Sequence, residues 1–167
     1  MKKYILFPIC ALALSVGFVS CDVETNEEPG GTAIEKMCGD WDVTYNVIDG
    51  DQELVDPLGV GTVLLSTYNT AANETDKMWI DDHDNFWSFK FKCPINYRDR
   101  SFSCEGVDYD QKGSGKTTVT GGKILNGAGK NLHGNPVDSI SFYMTFTDDD
   151  QALTYHVTGI RHEGWIE

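Results

Sequence analysis

The densest group of side chains that could do chemistry is the run Asp81-Asp82-His83-Asp84. Carboxylates beside an imidazole can ligate a metal ion or share protons in acid–base catalysis. The spacing does not follow the calcium-loop pattern, in which alternating ligands end at a glutamate. Asp and Asn are also the residues that hairpin turns use. We therefore interpret this run, and the run 148–150, as turns between strands, and the sequence predicts no metal site.

A second stretch imitates a phosphate-binding loop. Gly113-Ser114-Gly115-Lys116-Thr117 has the end of that pattern, but the pattern also requires a glycine where the chain has Asp110. A helix must follow a phosphate-binding loop, whereas the run 117–120, TTVT, is typical of a strand. We reject nucleotide binding on these grounds, and the sequence calls for no cofactor.

Serine-hydrolase chemistry has no local signature in the chain. The sequence contains no Gly-x-Ser-x-Gly elbow of the kind that opens a strand–turn–helix. His133, His156 and His162 are far apart and could meet Ser66 or Ser139 only through folding. None of the four histidines has a second histidine at metal-ligand spacing. Enzymatic activity is left open, with no catalytic residue assigned.

The elements that must position these residues are strands. In the run 86–93, FWSFKFKC, Trp87, Phe89, Phe91 and Cys93 fall on one side of an extended chain and polar residues fall on the other. The same alternation recurs along the chain. It predicts strands over 41–47, 62–68, 78–81, 86–95, 101–107, 116–125, 138–147 and 153–161, with a bulge at Gly121-Gly122 and loops over 52–61 and 126–136.

About eight short strands and no predicted helix of any length predict an all-β fold, an antiparallel up-and-down barrel, because closure removes the exposed sheet edges. An open two-sheet sandwich is the alternative. A barrel of about eight strands is either filled by side chains or holds one small ligand. The large aromatics expected to face inward could plug the barrel or line it: Trp41, Tyr45, Trp87, Phe89, Phe91, Phe102, Phe142, Phe146 and Tyr155.

The N-terminal region predicts export and lipid anchoring. Lys2 and Lys3 precede the apolar run 5–19, which is short for a membrane span and is typical of a signal peptide over residues 1–20. The tetrapeptide Phe18-Val19-Ser20-Cys21 resembles a bacterial lipobox, which makes Cys21 the expected lipidated N-terminus. Ordinary secretory cleavage near Ser20 is the alternative.

The segment 22–32, DVETNEEPGGT, is too polar to fold by burial, so residues 21–37 are predicted to form a flexible acidic tether and residues 38–167 the barrel domain. Acidic residues after a lipidated cysteine also resemble the signals that place some Gram-negative lipoproteins on the outer membrane, facing the cell surface.

Charge argues against two classes of partner. The chain carries a formal charge of -13, and removal of residues 1–20 takes away Lys2 and Lys3 but no acid, which leaves a charge of -15. Nucleic-acid binding needs a clustered basic surface, so nucleic acid is not an expected partner. Electrostatic adhesion to anionic lipid is disfavoured as well. The expected membrane contact is through the acyl chains.

Two cysteines are expected to face each other inside the fold. A two-residue turn at Arg98-Asp99 places Cys93 opposite Cys104 on adjacent strands. Outside the cytoplasm a disulfide is permitted there, and two buried free thiols are the alternative. Cys38 has no evident partner.

Gly39-Asp40-Trp41 resembles the Gly-x-Trp opening of lipocalin-type barrels. In those barrels the Trp closes the floor under a cationic residue near the last strand, which implies that Arg161 covers Trp41. A wider set of segments resembles a family of small Gram-negative lipoproteins described as lipid-binding putative hydrolases. These segments are WDV at 41–43, TYNTA at 67–71, WIDD at 79–82, FW at 86–87, GGK at 121–123, DSI at 138–140 and GIR at 159–161.

This resemblance implies a calycin-like barrel that binds lipid, and it identifies no catalytic residues in this sequence. The primary hypothesis is therefore a membrane-anchored lipoprotein that binds a small apolar or amphipathic, lipid-like ligand. The alternatives are a cell-surface interaction module with a filled barrel, and an uncharacterised hydrolase. The candidate ligand-lining residues are Tyr45, Trp87, Phe89, Phe91, Phe142, Phe146 and Tyr155.

Overall fold

The computed structural model describes residues 31–109 and 115–163. Within these described residues, one 3₁₀ helix, Glu35–Met37, precedes nine strands. The strands are β1 (Gly39–Asp49), β2 (Gln52–Leu54), β3 (Val63–Asn69), β4 (Lys77–Asp81), β5 (Lys90–Asn96), β6 (Ser101–Asp108), β7 (Lys116–Lys130), β8 (Pro136–Phe146) and β9 (Thr154–Arg161).

The sheet closes on itself. Every neighbouring pair is antiparallel, in the order β2-β1-β3-β4-β5-β6-β7-β8-β9, and β1 also pairs with β9. Eight strands form the closed barrel, and the short β2 pairs with β1 beyond the point where β1 leaves β3. The predicted all-β, up-and-down barrel of about eight strands is confirmed, and its form fits a calycin-like fold.

Alternation of side chains explains why these segments are strands. In β8, Ile140, Phe142, Met144 and Phe146 are buried, while the intervening residues are partly or fully exposed. Successive residues of a strand point to opposite faces, so one face of β8 enters the barrel and the other meets solvent. The bulge expected at Gly121-Gly122 is present as a register shift in the pairing of β7 with β8.

Three boundaries differ from the sequence-based prediction. β5 begins at Lys90, so the predicted strand over 86–95 is wrong at its start, and residues 82–89 form a loop. β7 extends to Lys130 through the glycine-rich stretch expected to be a loop, because Gly129 pairs with Val137 of β8. The loop expected over 52–61 contains β2.

One end of the barrel is closed by residues that the sequence placed in the tether. Ile34 and Met37, before and within the 3₁₀ helix, are fully buried in the core. The packed domain therefore begins before residue 38, because two apolar side chains in the polar segment find a place against the barrel. Within the described residues, no helix is long and apolar enough to cross a membrane.

Candidate functional site

The closed end of the barrel, or floor, contains Trp41. Its ring is fully buried, its Nε1 donates to Oγ1 of Thr67 at 2.9 Å, and the guanidinium carbon of Arg161 lies 4.6 Å from the ring centroid. Arg161 also donates to the carbonyl oxygen of Cys38 at 3.1 Å. The sequence placed Arg161 over Trp41 from the Gly-x-Trp resemblance, and the two side chains are stacked.

The opposite end, which we call the mouth, is filled by the loop 82–89. Phe86 stacks on Tyr45 with ring centroids 4.1 Å apart, and Trp87 stacks on Phe146 at 4.8 Å with an interplanar angle of 8°. Both loop rings also approach Tyr155. The sequence identified Trp87 as an interior aromatic but treated it as a strand residue, and it did not identify Phe86.

A buried carboxylate organises this loop. Asp82 is fully buried and accepts backbone N–H bonds from Asp84, Phe86 and Trp87 at 3.1, 3.2 and 2.9 Å. Burial raises the pKa of the Asp82 carboxyl, and the backbone hydrogen bonds oppose that rise. The interpretation of the acidic run as a turn agrees with these bonds, since Asp82 binds the chain's own backbone. No group of three or more metal-ligating side chains is found in the described residues.

One buried polar group beside the loop has no hydrogen-bond partner among the described residues. The Tyr45 hydroxyl is buried in the barrel and makes no hydrogen bond to any described residue. Burial, and then the nearby charge of Asp82, raise the pKa of Tyr45. An unsatisfied buried hydroxyl costs about 1–3 kcal/mol, so this atom is a place where a ligand oxygen would be favoured.

The predicted lining residues come together, but as a packed core. Six of them are almost completely buried, and Trp87 is partly exposed at the mouth. Surface depressions of about 440 Å³, beside Leu132 and His162, and about 530 Å³, beside Pro94 and Phe102, are lined by none of the seven candidates. Because six of the seven candidates are almost completely buried, side chains occupy the part of the interior that these residues line.

Cys93 and Cys104 lie opposite each other, and both are free thiols in this structure, which is the alternative to the disulfide. Ile95 pairs with Phe102 and Asn96 with Ser101, and this register puts Cys93 opposite Cys104. A hydrogen bond with Cys104, together with burial, raises the pKa of the Cys93 thiol, and the same bond lowers the pKa of Cys104.

Folding also creates two serine–histidine pairs that the sequence analysis missed. Ser66 Oγ lies 2.6 Å from Nε2 of His83, and Ser141 Oγ lies 2.8 Å from Nε2 of His156. Ser139, one of the two serines considered from the sequence, lies opposite Ile160 across β8 and β9 and is not the partner of His156. Only the strand register, which sequence spacing does not contain, reveals Ser141.

A comparison with protein-family models identifies a family for this chain. The family model described as "Lipid-binding putative hydrolase" matches residues 26–166. No curated protein matches the chain. Among solved structures, a structural-genomics protein of unknown function from Bacteroides ovatus is similar, with 11% identity and a TM-score of 0.49 over 78% of this chain and 43% of the other. This chain thus spans less than half of that neighbour. The protein belongs to the family of lipid-binding putative hydrolases.

Proposed function

We propose that the protein binds a lipid-like molecule in the mouth half of the barrel, in the place that Phe86 and Trp87 occupy in this structure. The observation that carries the proposal is the origin of these two rings: they come from the loop 82–89 and not from a barrel strand. A loop can withdraw while the hydrogen-bonded wall stays intact. The rings then act as an internal substitute for the ligand.

Replacement of the Phe86 and Trp87 rings by a ligand is physically reasonable, because one apolar group takes the place of another. An aromatic side chain buries about 150–250 Å² on packing, so withdrawal of two rings opens an apolar surface large enough for part of an acyl chain. Apolar burial contributes roughly 25 cal/mol per Å² irrespective of which molecule supplies the carbon. The ligand therefore recovers most of the burial that the loop gives up.

The loop backbone also favours movement. His83, Asp84 and Ser88 have φ angles of 53°, 62° and 54°. This left-handed region costs a non-glycine residue roughly 1–2 kcal/mol, less for Asp, Asn and His. Opening of the loop would release part of that strain, which offsets part of the lost packing.

The Tyr45 hydroxyl determines which polar group the ligand is expected to carry. Its unpaired hydroxyl can donate to an oxygen of the bound molecule. The charge of Asp82 is close enough to raise the pKa of Tyr45, so a neutral carbonyl oxygen fits there better than a carboxylate. The preferred ligand is accordingly an amphipathic molecule with a neutral ester or amide, such as an acylglycerol.

A titration with the neutral fluorescent probe N-phenyl-1-naphthylamine tests this proposal. Trp87→Ala removes a competitor for the site and should tighten probe binding by about tenfold, that is by about 1.4 kcal/mol. Trp79→Ala is the matched control, because the Trp79 ring lies under Lys90 and Lys92 on the outer face of β4 and should leave binding unchanged. A long-chain methyl ester should displace the probe better than the free acid.

Absence of probe binding to both the wild type and the Phe86→Ala, Trp87→Ala double variant would overturn the proposal. It would favour an interaction module with a permanently filled barrel.

We further propose that the protein is an outer-membrane lipoprotein, anchored through Cys21 and exposed at the cell surface. The sequence Phe18-Val19-Ser20-Cys21 supports this, and these residues lie outside the described part of the chain. Replacement of Cys21 by Ser should move the protein out of the membrane fraction and change the mass of the exported form. A variant that stays in the membrane with unchanged mass would contradict the anchor.

A further inference from the structure

We propose that the outer face of the barrel carries a serine esterase site, with Ser141 as nucleophile, His156 as general base and Glu53 as the residue that positions His156. Ser141 Oγ is 2.8 Å from His156 Nε2, and His156 Nδ1 is 2.7 Å from Glu53 Oε1. The substrate class is carboxylic esters. The site lies outside the barrel and does not depend on the ligand proposed for the interior.

The hydrogen bonds fix the direction of proton transfer. Hydrogen bonds from Asn46 and His156 lower the pKa of Glu53, so it is a carboxylate and can only accept. Nδ1 of a neutral His156 must therefore carry the ring proton, which leaves Nε2 free to accept the proton of Ser141. A serine hydrolase needs this tautomer for attack.

The second serine–histidine pair does not have this property. Ser66 Oγ donates to Asp40 Oδ1 at 2.5 Å, so its one proton is already committed and His83 Nε2 must donate to Ser66. The carboxylate of Asp81 lies 3.9 Å from His83 Nδ1, beyond hydrogen-bonding distance. Of these two pairs, only Ser141 and His156 have the order of donors that nucleophilic attack requires.

Four strands hold the site rigidly. His156 of β9 lies opposite Asn46 of β1 and opposite Tyr143 of β8. The Tyr143 ring stacks on the imidazole with centroids 4.5 Å apart, and Asn46 Nδ2 donates to Glu53 Oε1, on β2, at 2.5 Å. The Asn46 side-chain carbonyl oxygen in turn accepts the backbone N–H of Asp56. The imidazole is therefore fixed by contacts on its face and at both nitrogens.

Access and charge stabilisation also suit a surface ester. Ser141 is partly exposed, and its cross-strand neighbour in β7 is Lys123, which is exposed. Directly opposed residues of an antiparallel pair place their side chains on the same face. Lys123 and Ser141 therefore share a face, and we assign the Lys123 ammonium to the developing oxyanion at Ser141.

The reaction balances with water as the co-reactant. Ser141 Oγ attacks the acyl carbon while its proton passes to His156 Nε2, and the imidazolium then protonates the departing alcohol. Water next attacks the acyl-serine, giving its proton to His156. The carboxylic acid leaves, and the proton returns to Ser141 Oγ.

A combined labelling and kinetic experiment on the full chain tests the site. Diisopropyl fluorophosphate should form an adduct that peptide mapping places on Ser141, and p-nitrophenyl butyrate should be hydrolysed. Ser141→Ala and His156→Gln should abolish both the adduct and the hydrolysis. Ser139→Ala, two residues away on the same face of β8, and Ser66→Ala, in the other pair, should retain both.

Glu53→Gln separates a positioning role from a structural role. It should lower kcat by about 10²–10⁴-fold with KM and the thermal midpoint little changed, because it removes the group that fixes the His156 tautomer. An adduct on any residue other than Ser141, no adduct at all, or equal hydrolysis by the wild type and Ser141→Ala would overturn the proposal. Binding of the naphthylamine probe is measured separately, so failure of either proposal is recognised independently.

Discussion

At the scale of single residues, Trp41 and Arg161 show how the floor of the barrel is held. The ring supplies buried area, and the guanidinium covers it while its Nη1 binds the carbonyl of Cys38. Gly39 matters because a Cβ there would collide with Nη1 of Arg161. The small size of Gly39 therefore makes room for the guanidinium.

We expect Trp41→Ala to lower the free energy of unfolding by roughly 3–5 kcal/mol, the usual cost of a large cavity in a core. Arg161→Ala should cost about 0.5–2 kcal/mol, the range of a cation–π contact. Gly39→Ala should cost about as much as Arg161→Ala, and the double variant should cost little more than either, because both changes remove the same contact. Urea unfolding gives the free energy of unfolding of the wild type and of each variant. If the double variant loses the sum of the two single losses in that free energy, the coupling is contradicted.

Folding shifts the pKa values of the neighbouring residues Asp81 and Asp82 in opposite directions. Burial raises the pKa of Asp82. Burial would also raise the pKa of Asp81, but hydrogen bonds from Tyr68, the His83 backbone and Lys90 outweigh it and lower that pKa. A carboxyl whose pKa is raised by folding contributes more stability as the pH falls, and a carboxyl whose pKa is lowered contributes less.

The two asparagine variants should therefore show opposite pH dependences. Relative to Asp82→Asn, the wild type should gain stability as the pH is lowered from neutral to about 4. Relative to Asp81→Asn, the wild type should lose stability over the same range. Thermal unfolding of the three proteins against pH measures both differences, and slopes of the same sign would refute the assignment.

At the scale of elements, the strands were predictable where burial alternates and unpredictable where a turn carries apolar residues. β8 could be read from Ile140, Phe142, Met144 and Phe146, because one face is buried along its whole length. Phe86 and Trp87 looked like strand residues, yet the backbone hydrogen bonds of Asp82 bend the chain before them. The alternation of apolar and polar residues does not reveal that a side chain such as Asp82 will bend the backbone by accepting its hydrogen bonds.

The pairing of β5 with β6 was predicted correctly from the turn at Arg98-Asp99, and it leads to a redox prediction. Mild oxidation should join Cys93 to Cys104 with the loss of two hydrogens and no dimer, because the thiols are cross-strand neighbours. Cys104 should be the thiol that reacts first, because it is partly exposed whereas Cys93 is buried. Mass spectrometry after oxidation and alkylation checks this, with Cys38 as the internal control. Alkylation of Cys93 ahead of Cys104 would contradict it.

The site residues also divide into those that the sequence predicted and those that it could not predict. The aromatic lining followed from alternation, and Trp41 with Arg161 followed from the family resemblance. Ser141, His156 and Glu53 could not be found, since they lie on three strands and their contact depends on register and on the short β2 within a predicted loop. Tyr45 was identified as interior, but its unpaired hydroxyl depends on what the loop 82–89 places around it.

At the scale of the whole molecule, the barrel depends on the seam between β1 and β9. Val43 lies opposite Gly159, and a Cβ on Gly159 would collide with the Asp42 carbonyl and with Val43. Gly159 permits the close approach of two backbones at the point of closure.

We expect Gly159→Val to destabilise the protein by at least about 1–3 kcal/mol, the usual cost of overpacking, and to loosen the seam. Hydrogen exchange should accelerate first at the amides of β1 and β9, while β7 and β8 stay protected. Gly134→Ala is a suitable control, because a Cβ at that position would have no atom within 4 Å and only the φ of 80° opposes the change. Uniform acceleration around the barrel would argue against a local seam.

The pairing of β1 with β9 also limits how early the protein can complete its fold. Trp41 pairs with Arg161, so the ladder that closes the barrel joins residues separated by almost the whole domain, and β1 has no final partner until β9 is available. Folds dominated by such distant contacts cross their barrier slowly, on the order of milliseconds to seconds. A chain that emerges from the ribosome with its N-terminus first must therefore remain an open sheet, with the edge of β1 exposed, until its last strand is available.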